Sequence, residues 1–435
     1  MASSEWLANR GERIAYRIGG LPIALAALFW RVPDCPARRL RRAYASYFWH
    51  PANLTDCLEL AVALSLWPAV LLFSAVVLVC RNGQVIAQRH GRPVARQLAD
   101  QLWLYLRAGI LPPWYYIYAL YDGRVRSNLA GFLTRCETKL GIYQMLHSGS
   151  AESLGDKFVF ARHCERSNLP AIPVLAVLRG GVARGPACSA GRLPRQDLFV
   201  KPVRGRGGSG AERWDYVGAD HYRRTDGLEL DAAALLSRLR SRSLRTALLV
   251  QPRIRNHAQL ADLSNGGALA TVRALTCLDE NGRPELIGAV LRMAVGANAT
   301  VDNFHAGGIA ADIDLDTGTL SEASDLGMFA GIGWVTHHPV NGALIAGRRL
   351  PQWPELRSVA LRAHAAFDDR IMVGWDIAIS EGGVVLVEGN GGPDVDIMQR
   401  ARRRGLFEGR FGPLLAFHLE HRTRSAPAPA FSRAS

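Results

Sequence analysis

The sequence predicts an α+β protein in which a mainly helical N-terminal region precedes a region of strands and glycine turns. Residues 1–57 are arginine-rich and helical in character, and residues 97–145 continue as helices interrupted at GILPPWYYIYALYDG. From the Gly-, Pro- and Arg-rich loop at 180–194 onward, short apolar runs alternate with glycine turns as far as about residue 395. A tail at 422–435, RTRSAPAPAFSRAS, is expected to be disordered.

Composition narrows the functional class. The chain has 435 residues, 49% of them hydrophobic, which is enough to form two or three domains. Its net charge of +14 suits an anionic membrane surface or a phosphate-rich substrate. No nucleic-acid-binding signature is found, so nucleic acid is not expected as a partner. The seven cysteines include no Cys-x-x-Cys pair, which favours a reducing compartment and argues against structural zinc.

Lysine is rare in this chain. Lys139, Lys157 and Lys201 are the only lysines among 52 basic residues, and the others are arginines. A lysine kept against such a bias is expected where a compact ammonium group is needed, because a planar guanidinium does not replace it.

An apolar run at 58–80, LELAVALSLWPAVLLFSAVVLVC, is long enough to span a bilayer. Arginines flank it on both sides, at 38–42 and 81–96, so a single span would carry one cluster across against the positive-inside tendency. With Pro68 inside it, the run is expected to make peripheral or re-entrant contact with an anionic membrane surface, leaving the catalytic region in the cytoplasm. A buried core helix is the alternative.

A glycine loop between two strands is predicted at 198–217, LFVKPVRGRGGSGAERWDYV. The spacing Gly-x-Gly-x-x-Gly alone is a weak signal, and no apolar helix follows it as a dinucleotide fold requires. The segment instead suits a flap whose backbone N–H groups close over phosphates, with Lys201 on the incoming strand. A plain glycine-rich hairpin is the alternative. The loop residues proposed to contact a nucleotide are Gly205, Gly207, Gly208, Ser209 and Gly210.

Polar residues also interrupt the apolar strands that follow. Gln251 ends the run ALLVQ, while Arg273 and Arg292 lie inside otherwise apolar strands. A guanidinium is costly to bury without an anionic partner, so each arginine is expected to meet either a bound anion or a structural carboxylate. Between these strands and the last hairpin, VDNFHAGGIAADID offers Asn303 and His305 as candidate site residues.

The segment MVGWDIAISEGGVVLVEGN, at 372–390, predicts a β-hairpin with a glycine turn. A three-residue turn pairs Ser380 with Val384 and places Asp376 opposite Glu388, with Asn390 on the same face. Facing carboxylates repel unless a cation lies between them, and an all-oxygen set suits Mg²⁺ or Mn²⁺ rather than zinc. A solvated strand face is the alternative. In this register the apolar face carries Trp375, Ile377, Ile379, Val385 and Val387.

Taken in order, these elements resemble the ATP-grasp superfamily. The order is a Lys-Pro strand with a glycine loop, a strand ending in Gln, two strand arginines, Asn-x-His-x-Gly-Gly and Asp-x₁₁-Glu-x-Asn. The segments NHAQL, GWDIAI, LVEGNGGPD and PPWYYIYALYD are most similar to the sugar-transfer-associated ATP-grasp family. The resemblance covers about residues 150–415 and implies the ATP-grasp fold, in which two α+β subdomains clasp ATP.

The resemblance also implies roles for single residues. Lys157, in LGDKFVFARH, and Lys201 match the two lysines that reach the nucleotide phosphates. Gln251 lies where the adenine-contacting segment begins. The ribose-binding acid has no counterpart, because residues 256–259 contain no carboxylate.

The remaining implied roles concern the reacting groups. Arg273 and Arg292 match arginines around the γ-phosphate and the acyl phosphate, and Asn303 and His305 border the reaction centre. The implied magnesium ligands are Asp376, Glu388 and Asn390.

The implied activity is an ATP- and Mg²⁺-dependent ligase that activates a carboxylate as an acyl phosphate for attack by an amine. A sugar-linked or amino-acid carboxylate in surface-polysaccharide assembly is the expected substrate. An ATP-dependent phosphotransferase and a non-catalytic, ATP-binding membrane scaffold are the alternatives. The expected organisation is a helical region at 1–145, a catalytic domain at 146–421 and the tail at 422–435.

Overall fold

Helices make up the N-terminal third of the protein. In the computed structural model, α1 packs against α2 and against the long helix α3, which begins at its N-cap Asn53 and ends at Gly91 in the left-handed conformation. The structure describes residues 2–29, 35–127, 129–147, 152–185, 192–205, 207–264, 267–295 and 307–425. The helices up to residue 166 are α1 (Ala2–Phe29), α2 (Pro36–Trp49), α3 (Leu54–His90), α4 (Val94–Ala108), α5 (Pro112–Ile117), α6 (Gly123–Arg126), α7 (Arg135–Glu137), α8 (Tyr143–Met145), α9 (Glu152–Gly155) and α10 (Lys157–Arg166).

Buried ion pairs join these helices. Arg41 on α2 donates from Nε to Glu137 on α7 at 3.0 Å, and both side chains are buried. On α3, Glu59 accepts from Arg13 of α1 at 2.9 Å. A buried carboxylate is costly without such a partner, so these pairs fix which helices lie together.

The long helix α3 carries the predicted apolar run. In the part of the chain that the structure describes, it is the one helix long and apolar enough to cross a membrane, and 28% of its most apolar stretch is buried. A core helix would be mostly buried, whereas α3 leaves a row of large apolar side chains in contact with solvent. The exposed members are Leu54, Leu58, Val62, Leu64, Leu66, Val70, Leu72, Phe73, Val76 and Val77.

Two antiparallel sheets follow, as the alternation of strands and glycine turns predicts. The first sheet has the order β2-β1-β7-β3-β4-β5-β6, and the second has the order β12-β11-β10-β9-β8-β13-β14. The strands are β1 (Ala176–Arg179), β2 (Val182–Arg184), β3 (Leu198–Pro202), β4 (Glu212–Gly218), β5 (His221–Arg224), β6 (Glu229–Asp231), β7 (Leu248–Pro252), β8 (Thr271–Leu278), β9 (Pro284–Met293), β10 (Ile309–Ile313), β11 (Leu320–Ser324), β12 (Trp334–Val335), β13 (Met372–Ser380) and β14 (Gly383–Asn390).

Helices cover both sheets and close the cores. The core of the first sheet includes Trp214 and Leu239, the latter from α11 (Ala232–Ser243). That of the second includes Trp375 and Leu356, the latter from α12 (Trp353–Ala366). The last helices are α13 (Asp396–Arg402) and α14 (Phe411–Ser425), so α14 extends into the stretch predicted as a tail, and 426–435 lies outside the described residues.

The C-terminal hairpin forms with one change of register. Asp376 is opposite Glu388 as predicted, but Ser380 pairs with Gly383 rather than Val384. A β-bulge at Val387 absorbs the difference, because Ile377 is opposite Leu386.

The bulge also corrects the predicted apolar face. Trp375, Ile377 and Ile379 are buried in the core as expected. Their partners on β14 are Val384 and Leu386, which are buried, while Val385 and Val387 are half-buried. The prediction for the last two residues is therefore wrong.

The two sheets meet along β14. The amide of Ile172, just before the first sheet, donates to Leu386 O at 3.2 Å, and the amide of Leu386 donates to Pro170 O at 2.6 Å. A second bridge pairs Asn256, after β7, with Ser380 at the end of β13. The polar face of the hairpin is thereby held against the first sheet.

Candidate nucleotide and metal site

Lys201 lies at the junction of the two sheets. It is on β3, the central strand of the first sheet, opposite Leu249 of β7, and only 8% of it is exposed. Burial lowers the pKa of Lys201 from its ordinary value of 10.5 to about 8, although the charges of Glu388 and Asp376 act to raise it. A lysine on the first sheet thus senses two carboxylates on the second, so the structure brings these three predicted residues together.

Lys157 lies next to this lysine. It is the first residue of α10, whose N-cap Asp156 accepts hydrogen bonds from the amides of Phe158 and Val159. Its own amide donates to Val203 O at 3.0 Å, and its Nζ donates to Gly205 O at 2.9 Å. The charge of Lys157 acts to lower the pKa of Lys201, which indicates that both cations face one space.

The glycine loop joins β3 to β4, as the strand–loop–strand pattern predicts. Gly207 and Gly208 have φ values of 65° and 73°, a left-handed conformation that favours glycine. The carbonyl of Gly210 accepts from Nη2 of Arg242 on α11 at 2.9 Å. The loop is therefore held at both ends, by Lys157 and by Arg242, and it lies beside the two lysines.

Asp376 is the centre of a buried ion cluster. Only 3% of it is exposed, and its carboxylate accepts from Arg273 on β8 at 2.5 and 3.0 Å and lies 3.0 Å from Nη2 of Arg292 on β9. Burial alone would raise the pKa of Asp376, but the two guanidiniums lower it to about 2. Arg292 also donates to Thr271 Oγ1 at 2.6 Å.

The ion cluster follows from strand register. Arg273 is opposite Asp376 in the β8–β13 pair, and Thr271 is opposite Arg292 in the β8–β9 pair. Three neighbouring strands therefore direct their charged side chains to one point. Asp376 is thus the structural carboxylate partner that the alternative prediction expected for these arginines.

Glu388 and Asn390 complete the polar face of the hairpin. Nδ2 of Asn390 contacts Gly374 O at 3.4 Å and Glu388 Oε1 at 3.5 Å. Burial dominates the pKa of Lys201, but the charge of Glu388 acts to raise the pKa of both Lys201 and Arg273, so this carboxylate faces a cation of each sheet. Lys201, Arg273 and Arg292 thus lie around the two carboxylates, an arrangement that favours a polyanionic ligand.

The oxygen donors fit a hard divalent cation. The carboxylate of Asp376 has lone pairs that do not accept hydrogen bonds from its arginines. Asn390 donates hydrogen bonds through Nδ2, so its amide oxygen can act as a metal ligand. Within the described ranges, no three His, Cys, Asp or Glu side chains come together as a metal cluster. The proposed ligand set has only two carboxylates, with the amide of Asn390 as its third member.

The other predicted site residues differ in what can be said of them. Gln251 is buried on β7, and its Nε2 donates to Ile172 O at 2.9 Å, which ties the first sheet to the segment that pairs with β14. Asn303 and His305 lie outside the described residues. Asn256 bonds with both its amide atoms to the backbone of Ala268 and Ala270, so its side chain has a structural role.

Sequence reasoning missed a clamp on the loop that follows Asn390. Lys139, which lies outside the matched motifs, donates to Gly392 O, and Arg135 lies 3.7 Å from Asp394. Asp396 accepts from Tyr118 at 2.5 Å. The helical region therefore holds the loop next to the site. In the sequence, the one sign of these contacts was the pair of acids in GGPDVD, and no motif predicts which residues those acids contact.

Burial, together with the nearby Asp394, raises the pKa of Asp396 to about 7. Trp114 also donates to this carboxyl, from Nε1 at 3.0 Å. The clamp thus contains a titratable group near neutral pH.

Three solved structures are similar to part of the chain. The chain is similar to D-alanyl-alanine synthetase A from Vibrio cholerae O1 biovar eltor, with a TM-score of 0.36 and 11% identity over 62% of this chain and 65% of that one. It is similar to the D-alanine-D-alanine ligase from Coxiella burnetii, with a TM-score of 0.34 and 12% identity over 62% of this chain and 59% of that one. It is also similar to an L-amino acid ligase from Bacillus licheniformis, with a TM-score of 0.30 and 10% identity over 55% of this chain and 41% of that one.

The chain thus spans less than two thirds of each of these structures. No curated protein matches it. The family model of sugar-transfer associated ATP-grasp matches residues 143–411, well over half of the chain. This protein belongs to the sugar-transfer-associated ATP-grasp family.

Proposed function

We propose that the protein is an ATP-dependent ligase that joins a carboxylate to an amine through an acyl phosphate. The observation that carries the proposal is the meeting of Lys201, from the first sheet, with Asp376 and Glu388, from the second. A buried lysine whose pKa has fallen to about 8 is costly to keep charged, and a phosphate group would offset that cost. Family membership agrees with this use of the site.

The proposed chemistry needs positioning and charge neutralisation rather than a protein nucleophile. Lys157 and Lys201 hold the phosphates under the glycine loop, and their fixed charges stabilise the phosphoryl oxygens as the γ-phosphoryl group is transferred. Arg273 and Arg292 are placed to hold the substrate carboxylate and then the acyl phosphate. When bound by Asp376, Glu388 and Asn390, Mg²⁺ or Mn²⁺ would supply Lewis-acid polarisation of the phosphoryl oxygens.

Two alternatives remain testable. A phosphotransferase would leave the phosphate on the acceptor, and a scaffold would bind ATP without turnover.

The carboxylate is proposed to be an amino acid or a sugar acid, with an amine as acceptor; the family description favours a sugar conjugate. Peripheral membrane contact through α3, a cytoplasmic catalytic domain at 146–421 and a separate helical region at 1–145 belong to the same proposal.

The test is an ADP-release assay with ATP, Mg²⁺ and pools of amino acids or hexuronic acids, run with and without hydroxylamine. A ligase should release ADP only with an accepted carboxylate and should convert that carboxylate into a hydroxamate. Glu388→Gln should abolish both signals, whereas Glu381→Gln, the same change in the exposed turn of the hairpin, should not. ADP release without hydroxamate would favour the phosphotransferase, and binding without ADP release would favour the scaffold.

A further inference from the structure

A cavity in the helical region lies away from the nucleotide site. It has a volume of about 770 Å³ and opens among α2, α4 and α6 in the helical region. Ligand sites of drug-sized molecules are about 300–1,000 Å³, so the cavity is large enough for a phosphate-bearing headgroup. Nothing in the ligase proposal uses this space.

The cavity is strongly cationic. Its walls carry five arginines and a single carboxylate, that of Asp100. Asp100 is shared by Arg126 at 3.0 Å, Arg92 at 2.8 Å and Arg96 at 3.5 Å, and the wall residue Arg41 is paired with Glu137. The arginines still outnumber these two carboxylates. An anion is therefore the favoured ligand, and guanidinium groups suit phosphate oxygens in particular. The arginines of the wall are Arg38, Arg41, Arg96, Arg107 and Arg126.

One rim of the cavity is apolar and exposed. Trp103 on α4 lines the cavity and is 54% exposed, and Leu106, one turn further, is 65% exposed. The next residue on α4, Arg107, is exposed and lines the cavity. Tryptophan next to arginine at an exposed rim is typical of a membrane interface, where one end of the side chain is apolar and the other wet.

Helix α3 lies on the other side of α4 from the cavity. Tyr105 is on the face of α4 opposite Trp103 and Arg107, and it stacks on Trp67 of α3 with 5.7 Å between the ring centroids. The apolar surface at the cavity is therefore its own rim, formed by Trp103 and Leu106. A cationic cavity with an exposed apolar rim matches the two ends of an anionic lipid.

We infer that this cavity binds the phosphate headgroup of an anionic lipid whose hydrocarbon chain lies against Trp103 and Leu106 at the rim. Charge complementarity selects the headgroup, and the exposed apolar rim accounts for the chain. The inference rests on the membrane contact proposed above but on no residue of the nucleotide site. A lipid-linked substrate would be held by the same contacts as a bulk phospholipid.

The test compares two double variants of the full-length protein for binding to phosphatidylcholine vesicles with and without phosphatidic acid. Arg96→Gln with Arg107→Gln removes two cavity arginines. Arg42→Gln with Arg124→Gln removes two exposed arginines of the same helical region that do not line the cavity. Because each arginine–phosphate bond contributes a charge-assisted contact, the cavity pair should weaken binding by about tenfold more than the control pair.

The outcomes separate the possible sources of phosphate. An equal loss of vesicle binding in both double variants would mean general electrostatic attraction to the membrane and would overturn the cavity assignment. If replacing the two cavity arginines weakens the binding of inorganic pyrophosphate but not of vesicles, the ligand is a soluble phosphate and the lipid assignment is wrong. No binding of the wild type to either vesicle would also remove the membrane contact.

A second readout does not depend on the arginines. Trp103→Phe should reduce the quenching of tryptophan fluorescence by brominated phosphatidic acid, because Trp103 is at the rim of the cavity. Unchanged quenching would contradict a lipid at this rim. ADP release by each variant in detergent reports separately on the nucleotide site.

Discussion

The buried lysine Lys201 gives the most specific prediction, a pH-dependent affinity for ADP. Burial lowers its pKa to about 8, so in the free protein about nine-tenths of Lys201 is charged at pH 7 and only about 3% at pH 9.5. A bound phosphate requires the charged form and raises the pKa of the lysine in the complex. ADP affinity should therefore be greatest at low pH and fall as pH rises through 8.

The size of the effect follows from the same values. A fall in pKa from 10.5 to about 8 makes the charged form about 3 kcal/mol less stable than in water. Between pH 7 and pH 9.5 the charged fraction falls about 30-fold, so the affinity for ADP should fall by about the same factor. Most of the ADP is already fully ionised at pH 7, because the last pKa of its terminal phosphate is about 6–7, so the ligand itself adds little to this slope.

Titration calorimetry with ADP, without Mg²⁺, measures this dependence and the protons taken up on binding. Lys201→Gln should bind ADP weakly at pH 7 and show no such fall. Lys157→Gln is the matched control: it removes a phosphate contact but keeps the titrating lysine. Because the charge of Lys157 lowers the pKa of Lys201, this variant should keep the fall and shift it to higher pH. Parallel curves for the wild type and Lys201→Gln would refute the reasoning.

Three further changes test the surrounding charges. Asp376→Asn should lower the free energy of unfolding, measured in urea, by about 3 kcal/mol, because the buried Arg273 and the half-buried Arg292 lose their carboxylate; a loss below about 1 kcal/mol would contradict the cluster. Glu388→Gln should change the melting temperature little yet reduce ADP formation at least about 100-fold; wild-type turnover would remove the metal site. Asp396→Asn should raise the melting temperature by a few degrees more at pH 8 than at pH 5. Burial and Asp394 raise the pKa of Asp396 from 3.8 to about 7. The stability that this carboxyl contributes is therefore fully present below pH 3.8 and is lost as the pH rises to 7. Equal shifts of the melting temperature at both pH values would contradict the raised pKa of Asp396.

The hairpin shows how far alternation along a strand can predict a site. The facing of Asp376 and Glu388 follows from period-two patterning and is confirmed. The turn is not determined by the same pattern, because Glu381-Gly382-Gly383 can form a two- or three-residue loop. The shorter loop forms, and a bulge at Val387 restores the register at Asp376. The alternation of polar and apolar residues along one strand does not reveal a bulge, so the bulge could not be predicted from the sequence.

Long-range contacts account for most of what the sequence could not predict. Arg273 and Arg292 were recognisable as buried cations, but their common partner depends on the pairing of three strands far apart in the chain. Lys139 gave no signal of proximity, since its contact with Gly392 arises from packing of the helical region against the catalytic domain.

The central claim, activation of a carboxylate by ATP, is tested most directly by the fate of its oxygen. A carboxylate that yields a hydroxamate in the trapping assay would be supplied with ¹⁸O in both oxygens, together with ATP, Mg²⁺ and an amine. Attack of the carboxylate on the γ-phosphate transfers one of these oxygens to the acyl phosphate, and the amine then releases it with phosphate. The account predicts inorganic phosphate that contains one ¹⁸O for each ADP formed; unlabelled phosphate, or phosphate retained on the acceptor, would contradict it.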